Sequence, residues 1–169
     1  NMYGLYVVGR SIASVSAAER AGTGNVAAFV KSVSDHLGPD FVPVGSIGLP
    51  FVQVCAFADK SLNRDFTAVR TCAASMLQTR QATGGVALTL VYMDSPVAFV
   101  CLHIPPDLSS DRRENSKSSK EVSESLKARC GRVQTIMQDL QKQSSLWPIS
   151  NHCAFTSQYH ATVVLGELN

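Results

Sequence analysis

The chain lacks the features that would assign it to a membrane or to a nucleic acid. No uninterrupted apolar run reaches the ~18 residues that a membrane-spanning helix needs. The formal net charge is only +2 over 169 residues, which is too small to favour binding to nucleic acid or to an anionic membrane surface. Internal repeats at solenoid periods are also missing. We therefore expect no transmembrane segment and no nucleic-acid partner.

Paired cysteine motifs are missing as well. The five cysteines are odd in number and form no C-x-x-C pair, and the four histidines do not cluster as zinc ligands would. We interpret the cysteines as reduced, buried thiols of a cytosolic or nuclear protein. The expected location is therefore the cytoplasm.

What the chain has is enough apolar material for a core. Hydrophobic residues make up 45% and charged residues 17%, as in an ordinary folded domain. Asn1 is not an initiator methionine, and the chain stops four residues after the apolar segment 162–165. Because chain ends usually lie in exposed polar segments, we expect residues 1–169 to be one domain, taken incomplete from a longer polypeptide.

Hydrophobic periodicity predicts the elements and their order. Helical spacing predicts helices at residues 16–37 and 118–142, the first ending at Gly38. Short apolar runs predict strands, the last of them buried, at residues 5–8, 45–49, 51–57, 86–92, 97–104 and 162–165, with 66–76 as a weaker candidate. This order favours an α+β fold in which helices cover a mixed, mostly antiparallel sheet.

The second predicted helix carries one continuous apolar stripe. Its members recur every three or four residues, which is the spacing of residues on one helix face. We expect the whole stripe to pack against the sheet; it consists of Val122, Leu126, Cys130, Val133, Met137 and Leu140.

Three stretches place polar residues or glycines at the ends of predicted strands, where a rigid backbone holds a side chain better than a loop does. His103 lies near the end of segment 97–104. Gly84 and Gly85 precede segment 86–92, where backbone amides can approach a ligand closely. Glu167 and Asn169 follow the last strand. Taken singly, such a histidine is more often structural, and such a glycine pair is usually only a turn.

Taken together and in order, four segments resemble motifs of one family. Residues 5–9 resemble a strand that the family ends in Gly-(Leu or Phe)-Gln-Glu, and residues 82–86 resemble its Asn-Lys-Gly-Gly-Val. Residues 99–104 are similar to Phe-Val-Asn-Ser-His-Leu, and residues 165–169 to Phe-Gly-Asp-Leu-Asn. On these motifs the chain resembles the inositol polyphosphate 5-phosphatases, members of the endonuclease/exonuclease/phosphatase superfamily with a deoxyribonuclease I-like fold.

The resemblance implies a layered α/β sandwich of which this chain supplies the N-terminal part only, so that one apolar sheet face is left exposed. It implies a Mg²⁺-dependent phosphoric monoester hydrolase acting on a phosphorylated inositol or a phosphoinositide head group, cytoplasmic or peripheral at membranes.

The resemblance also implies roles for particular residues. His103 would contact the scissile phosphate, Glu167 would orient or deprotonate the attacking water, and Asn169 would hold a phosphate oxygen and that water. Gly84 and Gly85 would bind the substrate.

The chain departs from the family at several of these positions. The metal-binding glutamate falls at Ile12, whose hydrocarbon side chain cannot coordinate a hard cation, so we assign no metal ligand. The glutamine before it falls at Ser11, and Glu167 is one methylene longer than the family's aspartate. Two hypotheses stay open: a phosphatase-like domain with reduced or lost hydrolysis, and an inactive pseudophosphatase that acts as a scaffold or protein-interaction module. Nucleic-acid cleavage is disfavoured by the near-neutral charge.

Overall fold

The computed structural model describes residues 4–11, 25–62, 65–76, 82–105, 119–143 and 154–167. Two α-helices occur there, α1 (Val26–Leu37) and α2 (Ser119–Gln143), together with a short 3₁₀ helix (Phe155–Gln158). The strands are β1 (Leu5–Ser11), β2 (Phe41–Leu49), β3 (Val52–Asp59), β4 (Phe66–Met76), β5 (Thr83–Tyr92), β6 (Ser95–His103) and β7 (Ala161–Glu167). Each predicted strand is present, including the weaker candidate. The predicted helical residues 16–24 lie outside the described residues.

The strands form two sheets. The three-stranded sheet has the order β1-β3-β2 and is antiparallel throughout. The four-stranded sheet has the order β4-β5-β6-β7, in which only the β6–β7 pair is parallel. The prediction of an α+β fold with mixed, mostly antiparallel pairing is confirmed.

The two sheets pack face to face. Because successive side chains of a strand point to opposite faces, alternate residues of β3, β5 and β6 meet between the sheets. This apolar core includes Val52, Val54 and Ala56 from β3, Val86, Leu88 and Leu90 from β5, and Val97, Phe99 and Cys101 from β6. The apolar faces therefore cover each other, and the expectation of an exposed sheet face is wrong because this chain supplies strands to both sheets.

Helix α1 covers the outer face of the three-stranded sheet. Phe29 packs there on Cys55 and Phe57. The Asn25 side chain caps the helix start by accepting a hydrogen bond from the Ala28 amide, a common way to satisfy a first-turn donor. Gly38 caps the other end with a φ of +88°, a conformation that glycine adopts readily.

Helix α2 covers the outer face of the four-stranded sheet through its C-terminal half. Ile136 and Leu140 are buried there against the small or aliphatic residues Ala87, Ala98, Val100 and Leu102. Leu126 is 55% exposed and Cys130 is exposed, so the prediction of a fully packed stripe is wrong for its N-terminal half. The helical period identifies a face but not how far the neighbouring sheet extends beneath it. The four layers run α1, three-stranded sheet, four-stranded sheet, α2, which is consistent with a deoxyribonuclease I-like sandwich.

Strand β7 lies at the edge of its sheet with only β6 beside it. Val163 and Val164 are 40% and 45% exposed, so the prediction of a buried final strand is wrong although the strand itself is present. An apolar run predicts β-structure, but its burial depends on having neighbours on both sides.

The described cysteines are free thiols, as expected. Burial raises the pKa values of Cys55 and Cys101 to about 11, which keeps both thiols protonated and unreactive. In the part of the chain that the structure describes, no helix combines the length and the apolar character needed to cross a membrane.

Candidate active site

Strand alternation directs three polar side chains into one end of the space between the sheets. Cys101 of β6 lies in the apolar core, so His103, two residues further on, faces the same way. Leu165 of β7 packs against the same core, and Glu167 follows it by two residues. The same alternation places Ser11, at the end of β1, on the inner face of the three-stranded sheet.

The three side chains are in direct contact. Ser11 Oγ lies 2.6 Å from His103 Nδ1 and donates a hydrogen bond to Glu167 Oε2 at 3.3 Å. His103 Nδ1 lies 3.4 Å from Glu167 Oε2. Ser11 is separated along the chain by 92 residues from His103 and by 156 from Glu167, so only the tertiary fold brings these groups together.

His103 is the most enclosed of the three. Its side chain is 4% exposed, whereas that of Glu167 is 28% exposed. Burial lowers the pKa of His103 below its usual 6.5, and the charge of Glu167 together with its hydrogen bond opposes this only in part. The imidazole is therefore neutral at pH 7. The ring of Phe51 lies 5.6 Å from it, centroid to centroid, and forms an apolar wall on that side.

The backbone around Gly166 holds the ends of β6 and β7 together. His103 and Glu167 are partners in the parallel register, and the Ile104 amide donates to the Glu167 carbonyl at 2.9 Å. Gly166 has a φ of +108°, and a Cβ there would collide with the Leu102 carbonyl oxygen. A glycine is therefore needed one residue before Glu167 for β7 to approach β6 this closely.

Gly84 and Gly85 lie inside β5, not in a turn before it, so the interpretation of this pair as a turn is wrong. Gly84 pairs with His103 in the β5–β6 register. A Cβ on Gly84 would lie 2.6 Å from the Ala74 carbonyl oxygen, and one on Gly85 would lie 2.6 Å from Leu102 Cδ2. Close packing thus accounts for both glycines, and their contact with substrate stays a prediction.

The structure brings two of the predicted catalytic residues together, His103 and Glu167, while Asn169 lies outside the described residues. Sequence reasoning missed Ser11, which it treated only as a departure from the family pattern. The signal was the strand alternation itself, because Ser11 has the same parity as Val7, which packs against the core between the sheets.

The described residues do not make up a magnesium site. Among them, no three histidine, cysteine, aspartate or glutamate side chains converge, and the Glu167 carboxylate is already engaged by Ser11 and His103. Ile12 lies outside the described residues, and its side chain has no oxygen to offer. The need for Mg²⁺ stays a prediction, and no step below is routed through a metal.

Comparison with protein-family models and with curated proteins finds no match. Among solved structures, the chain is similar to the inositol polyphosphate 5-phosphatase domain of spSynaptojanin in complex with inositol (1,4)-bisphosphate and calcium ion. The TM-score is 0.47 and the identity 21%, over 64% of this chain and 33% of that one. The chain thus spans about a third of that domain.

The chain is also similar to Cimex nitrophorin in its ferrous NO complex. The TM-score is 0.43 and the identity 10%, over 70% of this chain and 39% of that one. A mutant of the same nitrophorin gives 0.45 and 10%, over 62% and 36%. The fold class described above follows from the chain's own strands and layers.

Proposed function

We propose that this chain is a phosphatase-like domain of the inositol polyphosphate 5-phosphatase type, which binds a phosphorylated inositol or phosphoinositide head group and hydrolyses it slowly or not at all. One observation carries the proposal. His103 and Glu167, selected from motifs far apart in the sequence, meet at the ends of neighbouring strands with Nδ1 3.4 Å from Oε2.

The arrangement suits recognition of a phosphate ester. His103 uses Nδ1 for Ser11 and Glu167, so Nε2 is the ring nitrogen left for a phosphate oxygen. In its protonated form the imidazole donates a hydrogen bond there and stabilises the charge that develops as the ester bond breaks. Glu167 stabilises that imidazolium and, with two carboxylate oxygens, can also accept a proton from an attacking water.

The electrostatics explain why hydrolysis should be slow. At neutral pH His103 is uncharged, and the one charge in the cluster of Ser11, His103 and Glu167 is that of the carboxylate, which repels a phosphate. The extra methylene of Glu167 relative to an aspartate displaces its oxygens, and a shift of ~1 Å in a catalytic group can reduce the rate by about 100-fold.

An inactive pseudophosphatase is the second candidate, and Ile12 favours it. A hydrocarbon side chain at the position that the resemblance assigns to a metal ligand removes one oxygen from a magnesium site. The two candidates differ in turnover, not in fold.

The test measures binding and turnover separately on the full chain. Calorimetry with a panel of inositol phosphates, including inositol (1,4)-bisphosphate, is paired with release of inorganic phosphate, with and without magnesium. We expect measurable binding that His103→Gln abolishes, and slow release that both His103→Gln and Glu167→Gln abolish. His160→Gln, which changes an exposed histidine, is the matched control and should change neither.

Binding without release would support the pseudophosphatase. A folded wild-type chain that neither binds nor hydrolyses any member of the panel would contradict the proposal.

A further inference from the structure

We propose that Ser11 is a positioning residue that holds His103 in one tautomer, with the proton on Nδ1 and the lone pair of Nε2 facing the ligand space. The inference rests on the proposed function only in naming that ligand as a phosphate. The tautomer itself follows from the contacts of three side chains.

The direct contact between His103 and Glu167 is too long to orient the imidazole. An N–H···O hydrogen bond spans about 2.7–3.2 Å, whereas Nδ1 and Oε2 are 3.4 Å apart. Ser11 Oγ, at 2.6 Å from Nδ1, is the closer partner. Ser11 therefore bridges a pair that makes no good hydrogen bond of its own.

Counting protons selects the tautomer. A carboxylate only accepts hydrogen bonds, a hydroxyl has one proton to donate, and a neutral imidazole has one proton on either nitrogen. If Nδ1 lacked the proton, the single Ser11 proton would have to serve either His103 or Glu167, and one pair of lone pairs would face each other in a buried place, which is unfavourable. With the proton on Nδ1, His103 donates to Ser11 and Ser11 donates to Glu167.

The three-stranded sheet fixes Ser11 in this place. Ser11 pairs with Val52 in the β1–β3 register, while His103 and Glu167 belong to the other sheet. The imidazole is thus oriented from across the interface between the sheets, so relaxation within the four-stranded sheet alone does not release it.

The tautomer makes phosphate binding depend on pH. The neutral imidazole can only accept at Nε2, so it donates to a phosphate oxygen only after gaining a second proton. Since burial lowers the pKa of His103 from 6.5, phosphate binding should tighten as pH falls below that value.

The groups around His103 leave Glu167 as its charged neighbour among the described residues. Cys101, on the same face of β6, has a pKa of about 11 and stays neutral. Arg10 of β1 points to the opposite face, since its guanidinium lies 5.9 Å from the Phe29 ring centroid on α1. Gly84 of β5 and Phe51 bring no charge.

The experiment reads the tautomer directly. Long-range ¹H–¹⁵N spectra of the folded full chain report which ring nitrogen carries the proton, with His103 assigned by comparison with His103→Gln. We expect one tautomer with the proton on Nδ1 in the wild type, a mixture in Ser11→Ala, and recovery of the single tautomer in Ser11→Thr, which keeps the hydroxyl. A wild-type proton on Nε2, or an unchanged tautomer in a folded Ser11→Ala variant, would overturn the inference.

A second measurement uses inorganic phosphate as the probe between about pH 8 and pH 5. We expect the His103 resonances to respond to phosphate increasingly as pH falls, and less so in Ser11→Ala. A tautomer that depends on Ser11 without any response to phosphate would support the positioning role and contradict the proposed function. This outcome separates failure of the function from failure of the inference.

Discussion

The interior between the sheets and the strand ends are built by the same strands but depend on different physics. Along β6, the alternate residues Val97, Phe99 and Cys101 fill the apolar core, and His103 continues the same face into the polar cluster. The core depends on volume and burial, which several aliphatic residues can provide. The cluster depends on hydrogen-bond distances and on the position of one proton.

This difference teaches that stability and chemistry should separate. Changes in the interior should alter the free energy of unfolding, whereas changes at the strand ends should alter the tautomer and pH response of His103. The four predictions below test this separation, from the largest expected effect to the smallest.

Leu88→Ala should have the largest effect. Leu88 is fully buried between the sheets, and truncating such a residue removes packing and leaves a cavity, at about 2–5 kcal/mol of unfolding free energy. Urea unfolding followed by circular dichroism measures the loss. Leu126→Ala, at a leucine that is 55% exposed, is the matched control and should change stability by less than about 0.5 kcal/mol. Similar losses in both variants would argue against the core as described.

Gly166→Ala should combine both kinds of effect. Its φ of +108° is unfavourable for alanine, and the new Cβ would collide with the Leu102 carbonyl. We expect a loss of about 1–3 kcal/mol from backbone strain, with β7 displaced from β6 and Glu167 moved away from His103. Urea unfolding measures the first effect, and a changed His103 ring spectrum would report the second. A spectrum identical to the wild type would count against the close β6–β7 approach.

Gly131→Ala should stabilise the chain slightly. Gly131 lies within α2, and no atom lies within 4 Å of the Cβ position, so alanine adds no clash. Alanine favours the helix over glycine by about 1 kcal/mol. Thermal unfolding should show a higher midpoint with an unchanged His103 spectrum. A lowered midpoint would contradict the open surroundings of this position.

The pH dependence of stability should be the smallest effect, since it vanishes at neutral pH. Because the pKa of His103 is lowered on folding, the unfolded chain binds a proton more readily, and stability is lost as pH falls below 6.5 towards the folded pKa. In His103→Gln this contribution should be absent, so the variant should lose less stability than the wild type over that range. Unfolding free energies at several pH values test this, with the exposed-site variant His160→Gln as control. Parallel pH curves for wild type and His103→Gln would refute it.

Sequence reasoning went further for elements than for their surroundings. Asp94 and Met93, both with positive φ, form the tight turn of the predicted β5–β6 hairpin. Gly84 and Gly85 were read as a turn because glycine commonly makes one, yet they lie in a strand pressed against Ala74 and Leu102. No local pattern distinguishes a glycine that bends the chain from one that admits a close neighbour.

The sequence by itself determined the strands, the helices, their order and the polar residues at the strand ends, because alternation and helical period arise from interactions between residues close in the chain. Only the tertiary structure decided that β6 and β7 pair in parallel with His103 beside Glu167, that α2 packs through half its length, and that Ser11 reaches both residues from the other sheet. The physical reason is that register and layer packing are set by contacts between distant segments, across 92 and 156 residues for Ser11, and such contacts leave no local periodic signal.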